Sequence, residues 1–345
     1  MKNWLRKHPE VRTIRVAAAD LNAQARGKRV PTRYADKVVD EGTRFPLSVL
    51  NLDIWGEDID DSPLVFETGD ADGVLKPTER GFMPMPWLEA PTALLPIWMF
   101  REDGRPYEGD PRHALRAADD AWLFKMLVKG LARRHGFAAS FMAKPYEDYA
   151  GSGLHTHFSV LDAEGRNIFD DGGPLGTEKL RHAVAGCLNA MSGSTLIFAP
   201  HWNSYDRLVP DAHAPTGICW GYENRTAAVR IPSGSSRARR IEHRVAGGDV
   251  NPYLMLAAIL GAALNGIEAQ AEPPAPITGN AYALDLPQVP TTWVDAINTF
   301  ETSPEIAGIF APELIRNFVL TKRQELHYMG ELTPEERVEI YLDTV

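Results

Sequence analysis

The sequence predicts an α+β fold built as two domains. Strand-like segments, one with alternating residues and one rich in proline, lie within residues 1–108, and proline spaced through apolar sequence suits extended segments rather than helices. Beyond residue 108, most of the sequence has helical periodicity, with short strand-like segments between the predicted helices. We therefore expect a small mixed domain over residues 1–108 and a larger domain over residues 109–345.

Composition limits the classes of function. The 345 residues carry a formal net charge of −10, with 44% hydrophobic and 24% charged residues, as in globular proteins. Net acidity argues against a nucleic-acid partner, which needs a basic surface. Cys187 and Cys219 stand in apolar sequence and are expected to be free thiols in the cytoplasm. The N-terminus lacks the apolar core of a signal peptide, and the apolar run at 253–264 is too short for a bilayer, so we expect no membrane partner.

Local pattern predicts the elements of the first domain. Residues 11–19 begin with alternating residues and indicate a strand. Residues 34–42 place three apolar side chains on one helical face and indicate a short helix. Acidic, turn-rich sequence follows. Residues 82–100 are apolar and rich in proline, which indicates extended segments and edge strands.

The second domain begins with a predicted helix over residues 117–135. Its apolar side chains recur at helical spacing, with aspartates in the first turn and arginines in the last, as the helix dipole favours. Gly136 ends it, and residues 138–144 predict a strand. Further helices are predicted over residues 178–191, 292–302 and 311–329.

Two further helices are marked by their caps. Asn251 is a favourable N-cap and Pro252 a favourable first helical residue, so a helix begins there. Thr333 and Glu336 have the spacing of a capping box before a last short helix.

A histidine pair marks the first candidate site. In LHTHFSVLD, His155, His157 and Ser159 alternate with mostly apolar residues. On a strand these three side chains share one face, where imidazoles can serve a metal or a phosphate. Polar residues on the exposed face of a sheet explain the pattern equally well.

Residues 200–244 concentrate positive charge in an acidic chain, with seven arginines against four acidic residues. The arginines are Arg207, Arg225, Arg230, Arg237, Arg239, Arg240 and Arg244. Guanidinium groups bind phosphate or carboxylate with paired hydrogen bonds, so the stretch predicts a site for more than one anionic group. Near its end, Arg240, Glu242 and Arg244 would share one face of a strand. A charged edge strand facing solvent is the alternative.

Five ordered motifs carry a resemblance to a known family. They are KP followed by GSGLHTH, then NSYDRLVP, ENRTAAVRIP, RRIEHR and NPYLMLAAILGAALNGIE. Over nearly the whole chain the sequence resembles the glutamine synthetase family, in the branch of glutamate–amine and glutamate–polyamine ligases. The resemblance implies a β-grasp domain at residues 1–108. It implies a catalytic domain at residues 109–345, with a curved antiparallel sheet flanked by helices.

The resemblance also implies a reaction. In that family ATP phosphorylates the γ-carboxylate of glutamate, and an amine then displaces phosphate to leave a γ-amide. The implied substrates are ATP, glutamate and ammonium or a small amine or polyamine, with Mg²⁺ or Mn²⁺ as cofactor. Phosphoryl transfer needs cations to neutralise charge on the transferring oxygens. Family members form stacked rings, so a homo-oligomer of ring type is expected.

Individual positions take their expected roles from the matching motifs. The metal ligands would be His155 and Glu242. Groups near the nucleotide would be His157, Ser159, Arg230 and Arg240. Glutamate would be held by Gly151, Arg207 and Arg244. Arg225 would face the transferred phosphate, and the catalytic group would comprise Arg225, Arg244 and His213.

The sequence departs from the family pattern in one long segment. Family members have a Glu-x-Glu strand and further glutamates between the loop ending DPRHAL and the helix beginning RAADDAW, and these carboxylates hold the metals. Here Leu115 runs directly into Arg116. His155 and Glu242 alone cannot supply two sites for hard divalent cations, which want several oxygen ligands. The segment is either absent from the natural protein or omitted from this sequence.

A second departure concerns the amine. Ammonia-using members carry a glutamate at the end of an Arg-Leu-Val-Pro-x-x-Glu motif, whereas this chain has His213 there. Loss of that negative charge from an ammonium site favours a different or larger amine. The alternative is that His213 lies on a loop without a catalytic role.

Three hypotheses of function follow. The first is an ATP-dependent ligase that forms a γ-glutamyl amide from glutamate and an amine through γ-glutamyl phosphate. The second is a glutamine synthetase that uses ammonium, which His213 disfavours. The third is a catalytically impaired homologue that lacks metal-binding carboxylates. Metal binding discriminates among them, because a ligase needs two divalent cations and the impaired homologue should bind them weakly or not at all.

Overall fold

The computed structural model describes residues 1–65, 72–107, 116–209, 214–233, 235 and 238–345. The chain forms two compact units. The first unit comprises Met1–Ser140, Asn251–Tyr253 and Arg316–Thr344, and the second comprises Phe141–Val250, Leu254–Ile315 and Val345. The predicted domain boundary at residue 108 lies outside the described residues, so that division stays a prediction.

The first unit contains a six-stranded sheet. Its strands are β1 (Thr13–Ala19), β2 (Ala25–Pro31), β3 (Thr43–Pro46), β4 (Asp72–Pro77), β5 (Met83–Pro84) and β6 (Thr92–Phe100). The order is β2-β1-β6-β4-β3, with β5 also paired to β6. The central β1–β6 pair is parallel and the other pairs are antiparallel. The strand predicted over residues 11–19 and the extended segments over 82–100 are confirmed, but the expectation of edge strands is wrong for β6, which lies inside the sheet between β1 and β4. The β-grasp assignment stays a prediction.

Burial explains why these segments form a sheet. Val16 on β1 lies opposite Leu95 on β6, and both side chains are fully buried. Ile14 and Ile97 extend the same core. Apolar side chains at these positions supply the free energy that orders the sheet.

Helices make up most of the remaining structure. In chain order they are α1 (Lys2–Lys7), α2 (Ala35–Glu41), α3 (Arg116–Arg134), α4 (Glu178–Asn189), α5 (Met191–Phe198), α6 (Ser204–Arg207), α7 (Pro252–Glu268), α8 (Trp293–Thr302), α9 (Pro304–Ala307), α10 (Pro312–Gly330) and α11 (Pro334–Thr344). The predicted helices are confirmed, with their ends shifted by at most two residues.

Both predicted caps are present. The Asn251 side-chain oxygen accepts a 2.9 Å hydrogen bond from the backbone N–H of Tyr253. Thr333 accepts from the backbone N–H of Glu336 at 3.3 Å and donates its own N–H to the Glu336 carboxylate at 2.8 Å. These bonds satisfy amide groups that the first helical turn leaves free.

The second unit contains a four-stranded sheet that carries the candidate site. Its strands are β7 (Thr156–Phe158), β8 (Trp220–Tyr222), β9 (Val229–Ile231) and β10 (Ile241–His243), in the order β7-β10-β9-β8. The β7–β10 and β10–β9 pairs are antiparallel, and β8–β9 is parallel. Helix α4 packs against β9. The predicted α+β class, with a mainly antiparallel sheet flanked by helices, is confirmed.

The strand predicted over residues 138–144 is wrong. Within the described chain these residues form no ladder with another strand. Their backbone groups bond to loops and to a side chain instead, since Ala143 accepts from the N–H of Ser152 at 2.7 Å and Lys144 donates to the Asn203 side chain at 2.8 Å. A single segment does not specify the partner strand that a ladder requires.

Two smaller expectations can be compared with the structure. Cys187 and Cys219 are free and buried, and burial raises the pKa of the Cys187 thiol to about 12. Among the described residues, no helix combines the length and the hydropathy needed to cross a bilayer.

Candidate functional site

The register of the second sheet places three charged or titratable side chains next to one another on adjacent strands. Glu242 on β10 lies opposite Arg230 on β9 and opposite His157 on β7. Directly opposed residues of antiparallel strands project from the same face. The predicted alternation is therefore confirmed, because Arg240 and Arg244 also contact this group whereas His243 packs on Phe198 on the other side.

The Glu242 carboxylate is held at both oxygens. Its Oε2 accepts from Arg230 Nη1 at 2.9 Å, and its Oε1 accepts from Arg244 Nη1 at 2.7 Å. The Glu242 side chain is only 3% exposed. Burial acts to raise the pKa of Glu242, but the two guanidinium groups outweigh it and the pKa lies below its ordinary value. The group is a buried, ionised triad.

The two predicted histidines border this triad. His155 Nδ1 lies 3.4 Å and His157 Nε2 lies 3.7 Å from Glu242 Oε1. Arg240 donates from Nε to His157 Nδ1 at 3.2 Å. Burial, followed by the charge of Arg244, lowers the pKa of His155 to about 4, so this imidazole is neutral near pH 7. Burial also lowers the pKa of His157.

The glycine loop lies directly against Arg207. A β-carbon at Gly151 would stand 2.8 Å from the carbonyl oxygen of Ala143 and 2.9 Å from Arg207 Cγ, closer than side chains tolerate. A β-carbon at Gly153 would be 3.0 Å from Arg207 Nη2 and 3.3 Å from His155 Nε2. The resemblance assigned Gly151 and Arg207 to the glutamate end, and the two lie against each other, with His155 beside the same loop.

A backbone carbonyl group just after β10 holds the Arg207 side chain in place. It is buried at the end of α6, and its Nη1 donates to the carbonyl oxygen of Val245 at 2.7 Å. Burial lowers the pKa of the Arg207 guanidinium, and Asp249 opposes that effect. The bond fixes the position of the buried guanidinium group beside the Gly151 loop.

Sequence reasoning missed the buried cluster behind Arg207. Asp249 accepts from the hydroxyl of Ser204 and contacts His201 Nδ1 at 3.2 Å. The backbone N–H of His201 donates to Ser204 Oγ at 3.0 Å. The available signal was an aspartate within apolar and glycine sequence just before the Asn251 cap. This cluster positions the segment that carries Arg207.

Glu223 is a second residue that the sequence reasoning missed. Its backbone has a positive φ of 56°, and its carboxylate contacts Arg230 Nη2 at 3.3 Å and accepts from the N–H of Ser233. Arg230 is therefore placed between two carboxylates.

Ser159 and Arg225, two other predicted site residues, have exposed side chains. The carbonyl oxygen of Arg225 accepts from Arg244 Nη2 at 2.9 Å, which ties its loop to the triad. His213 lies outside the described residues, as does Leu115 at the junction with Arg116.

The metal-binding side chains that the structure describes do not fit two hard divalent cations. Within the described ranges, no group of three or more His, Cys, Asp or Glu side chains is arranged to hold a metal ion. His155 and Glu242 are close enough to share an ion, but both Glu242 oxygens already accept from arginines. Mg²⁺ and Mn²⁺ want several oxygen ligands, and this carboxylate alone does not provide them.

Comparison with known proteins agrees with the geometry. The chain is 41% identical to γ-glutamylethanolamide synthetase GlnA4 of Streptomyces coelicolor over 213 residues, which cover 62% of this chain and 46% of that relative. It thus spans about half the length of this relative. It is 26% identical to γ-glutamylputrescine synthetase PuuA of Escherichia coli over 441 residues, covering 98% of this chain and 93% of the relative.

A solved structure and a family model complete the comparison. The structure of GmaS without ligand superposes with a TM-score of 0.81 at 26% identity, covering 96% of this chain and 97% of GmaS. The family model described as glutamine synthetase, catalytic domain, matches residues 108–341. This match extends over more than half of the chain, and the chain therefore belongs to the glutamine synthetase family.

Proposed function

We propose that the chain is an ATP-dependent ligase that forms a γ-glutamyl amide from glutamate and an amine. The observation that carries this proposal is that Arg207 lies against the Gly151 loop and that Arg230 and Arg244 are fixed on Glu242, in a member of this family. Several fixed guanidinium groups suit a reaction in which a carboxylate and a triphosphate meet.

The proposed chemistry has two displacements. An oxygen of the glutamate γ-carboxylate attacks the terminal phosphorus of ATP, and ADP leaves. The amine nitrogen then attacks the acyl carbon, phosphate leaves and the nitrogen loses a proton. Positive charge held near the transferring oxygens stabilises the first step, since it costs no reorganisation when the reaction occurs.

The proposed roles divide the site into two ends. Arg207, Arg244 and the Gly151 loop would hold glutamate. His157, Ser159, Arg230 and Arg240 would lie along the nucleotide phosphates. Arg225 would face the transferred phosphoryl group, because its loop is tied to Arg244.

An amine larger than ammonium is the proposed acceptor. Two relatives are named as synthetases of γ-glutamylethanolamide and γ-glutamylputrescine, and His213 stands where ammonia-using members carry a glutamate. We keep assembly into a ring-type homo-oligomer in the cytoplasm as part of the proposal. A particle-size measurement that finds a stable monomer would overturn the assembly.

An impaired homologue is the second candidate function. Two observations favour it. Both oxygens of Glu242 are bound by arginines. The alignment to the Escherichia coli relative runs over 441 residues, more than the 345 of this chain, so the relative has positions that this chain lacks. A difference in length of this kind is what the absence of the carboxylate-rich segment between Leu115 and Arg116 would produce.

Phosphate release tests the two candidates. The purified full chain is incubated with ATP, glutamate and Mg²⁺ or Mn²⁺, with ammonium, ethanolamine, putrescine or spermidine as acceptor. Release that depends on glutamate and on one acceptor is expected for the ligase and names its amine. Release that is absent with every acceptor, from folded protein of verified mass, would favour the impaired homologue.

A further inference from the structure

Both oxygens of the Glu242 carboxylate, at the centre of the site, accept hydrogen bonds from side chains. Each oxygen of Glu242 accepts a hydrogen bond from a guanidinium group, Oε2 from Arg230 and Oε1 from Arg244. All three side chains are at least nine-tenths buried. A divalent cation at Glu242 would add positive charge beside the two buried guanidinium groups that already hold this carboxylate, and repulsion between like charges disfavours that.

The nearest further donors do not replace that carboxylate. His155 and His157 each offer imidazole nitrogen rather than oxygen, and one nitrogen of His157 already accepts from Arg240. Hard cations such as Mg²⁺ prefer oxygen ligands. Within the described part of the chain, no other His, Cys, Asp or Glu side chains complete a cluster of three.

Arg240 contributes a positive charge to the same face. Its Nε donates to His157 Nδ1 at 3.2 Å and its Nη1 donates to the carbonyl oxygen of Ala238 at 3.2 Å. Neither of these acceptors is a carboxylate. Arg230 and Arg244, by contrast, share the charge of Glu242. Arg240 therefore brings charge that these two contacts do not neutralise, on a half-buried side chain that a ligand can reach.

We infer that this chain binds a polyphosphate anion through Arg240 and the neighbouring arginines without a divalent cation. The role that bound metal has in balancing phosphate charge is taken here by guanidinium groups, which bind phosphate oxygens with paired, charge-assisted hydrogen bonds. The inference rests on the proposed function, because it concerns the end of the site assigned to the nucleotide phosphates. It adds that binding there does not depend on metal.

Calorimetric titration of the full chain with pyrophosphate tests the inference. The protein is first dialysed against EDTA, and the titration is run in EDTA and again with excess Mg²⁺. Saturable binding in EDTA is expected. Arg240→Gln should weaken it by about ten-fold or more, the loss expected for a charge-assisted bond to phosphate.

A matched control separates the site from general positive charge. Arg166 is a surface arginine whose side chain contacts Asp162 at 2.8 Å and Glu164 at 3.3 Å. Arg166→Gln removes the same charge and should leave pyrophosphate binding in EDTA unchanged. Equal weakening by the two substitutions would overturn the inference, because it would show a nonspecific effect of net charge.

The metal dependence distinguishes two kinds of failure. Binding seen only with Mg²⁺ would overturn the metal-independent site and leave the proposed ligase in place. Absence of binding in both conditions would overturn the inference and also the assignment of this face to nucleotide phosphates. A circular dichroism spectrum that matches the wild type confirms that Arg240→Gln is folded.

Discussion

Glu242 on β10 lies directly opposite Arg230 on β9, and its Oε2 accepts a 2.9 Å hydrogen bond from Nη1 of that arginine. Arg244, two residues further along β10, binds the other oxygen. A buried carboxylate between two guanidinium groups is costly to desolvate, and it remains favourable only while all its partners are present. The triad therefore links the stability of the second sheet to the electrostatics of the site.

The first prediction concerns the loss of the Glu242 charge. Glu242→Gln keeps the shape of the side chain but removes the carboxylate that binds Arg244 and leaves Arg230 with Glu223 as its remaining acidic contact. We expect the free energy of unfolding to fall by about 3–5 kcal/mol, the usual cost of breaking a buried ion pair. Urea denaturation followed by tryptophan fluorescence measures this change.

Glu164→Gln is the control for this experiment. Glu164 is 66% exposed and contacts Arg166 at 3.3 Å, so its loss should change stability by less than about 1 kcal/mol. A loss of similar size for both substitutions would contradict the structural role assigned to Glu242.

The second prediction concerns the glycine loop. In Gly151→Ala the new methyl group would meet Arg207 Cγ at 2.9 Å and the carbonyl oxygen of Ala143 at 2.8 Å. Arg207 or the loop must move, and misplacement by a fraction of an ångström weakens binding. We expect glutamate affinity, measured by calorimetry, to fall by about ten-fold or more.

Gly330→Ala provides the comparison, because a β-carbon there has no heavy atom within 4 Å. That substitution should leave glutamate affinity unchanged. Unchanged affinity in Gly151→Ala would show that the loop can accommodate a side chain and would remove Gly151 from the glutamate end.

The third prediction concerns Arg225. Its side chain is exposed, so Arg225→Ala should leave the melting temperature nearly unchanged. If this guanidinium neutralises the transferred phosphoryl group, glutamate-dependent phosphate release should fall by about 10²-fold or more. Arg225→Lys keeps the charge without the paired hydrogen bonds and should recover part of the rate. Near-normal release by Arg225→Ala would exclude Arg225 from the reaction.

The alternation of residues in the sequence was sufficient to predict which side chains share one face of β10. A strand exposes every second side chain on one face, so Arg240, Glu242 and Arg244 could be placed together before any coordinates were known. Helices with strong caps, such as the one that begins after Asn251, could be predicted equally well, because a cap is a local interaction.

Contacts between distant segments could not be predicted in this way. Asp249 contacts Ser204, which lies 45 positions away in the sequence, and no local pattern encodes that contact. Glu223 was missed because its role depends on a positive φ that glutamate seldom adopts. The strand expected over residues 138–144 was wrong for a related reason, since forming a strand requires a partner that a single segment cannot specify.

The last prediction concerns pH and the first unit. Asp20 is fully buried and accepts from Arg26 Nε at 2.6 Å. Burial, only partly opposed by Arg26, raises the pKa of Asp20 to about 6 from an ordinary value of 3.8. Between these values the folded state binds more protons than the unfolded state, so this group stabilises the fold at low pH. That stability is lost as the pH rises through about 6.

The size of the effect follows from the two pKa values. Between pH 4.5 and pH 7.5 the contribution of Asp20 should decline by about 2 kcal/mol. Asp20→Asn cannot titrate, so its free energy of unfolding relative to the wild type should rise by that amount across the same range. Urea denaturation at a series of pH values measures the difference. Asp61→Asn, at an exposed position, should run parallel to the wild type. If Asp20→Asn also runs parallel, then Asp20 is ionised throughout this range, because Arg26 offsets the cost of its burial.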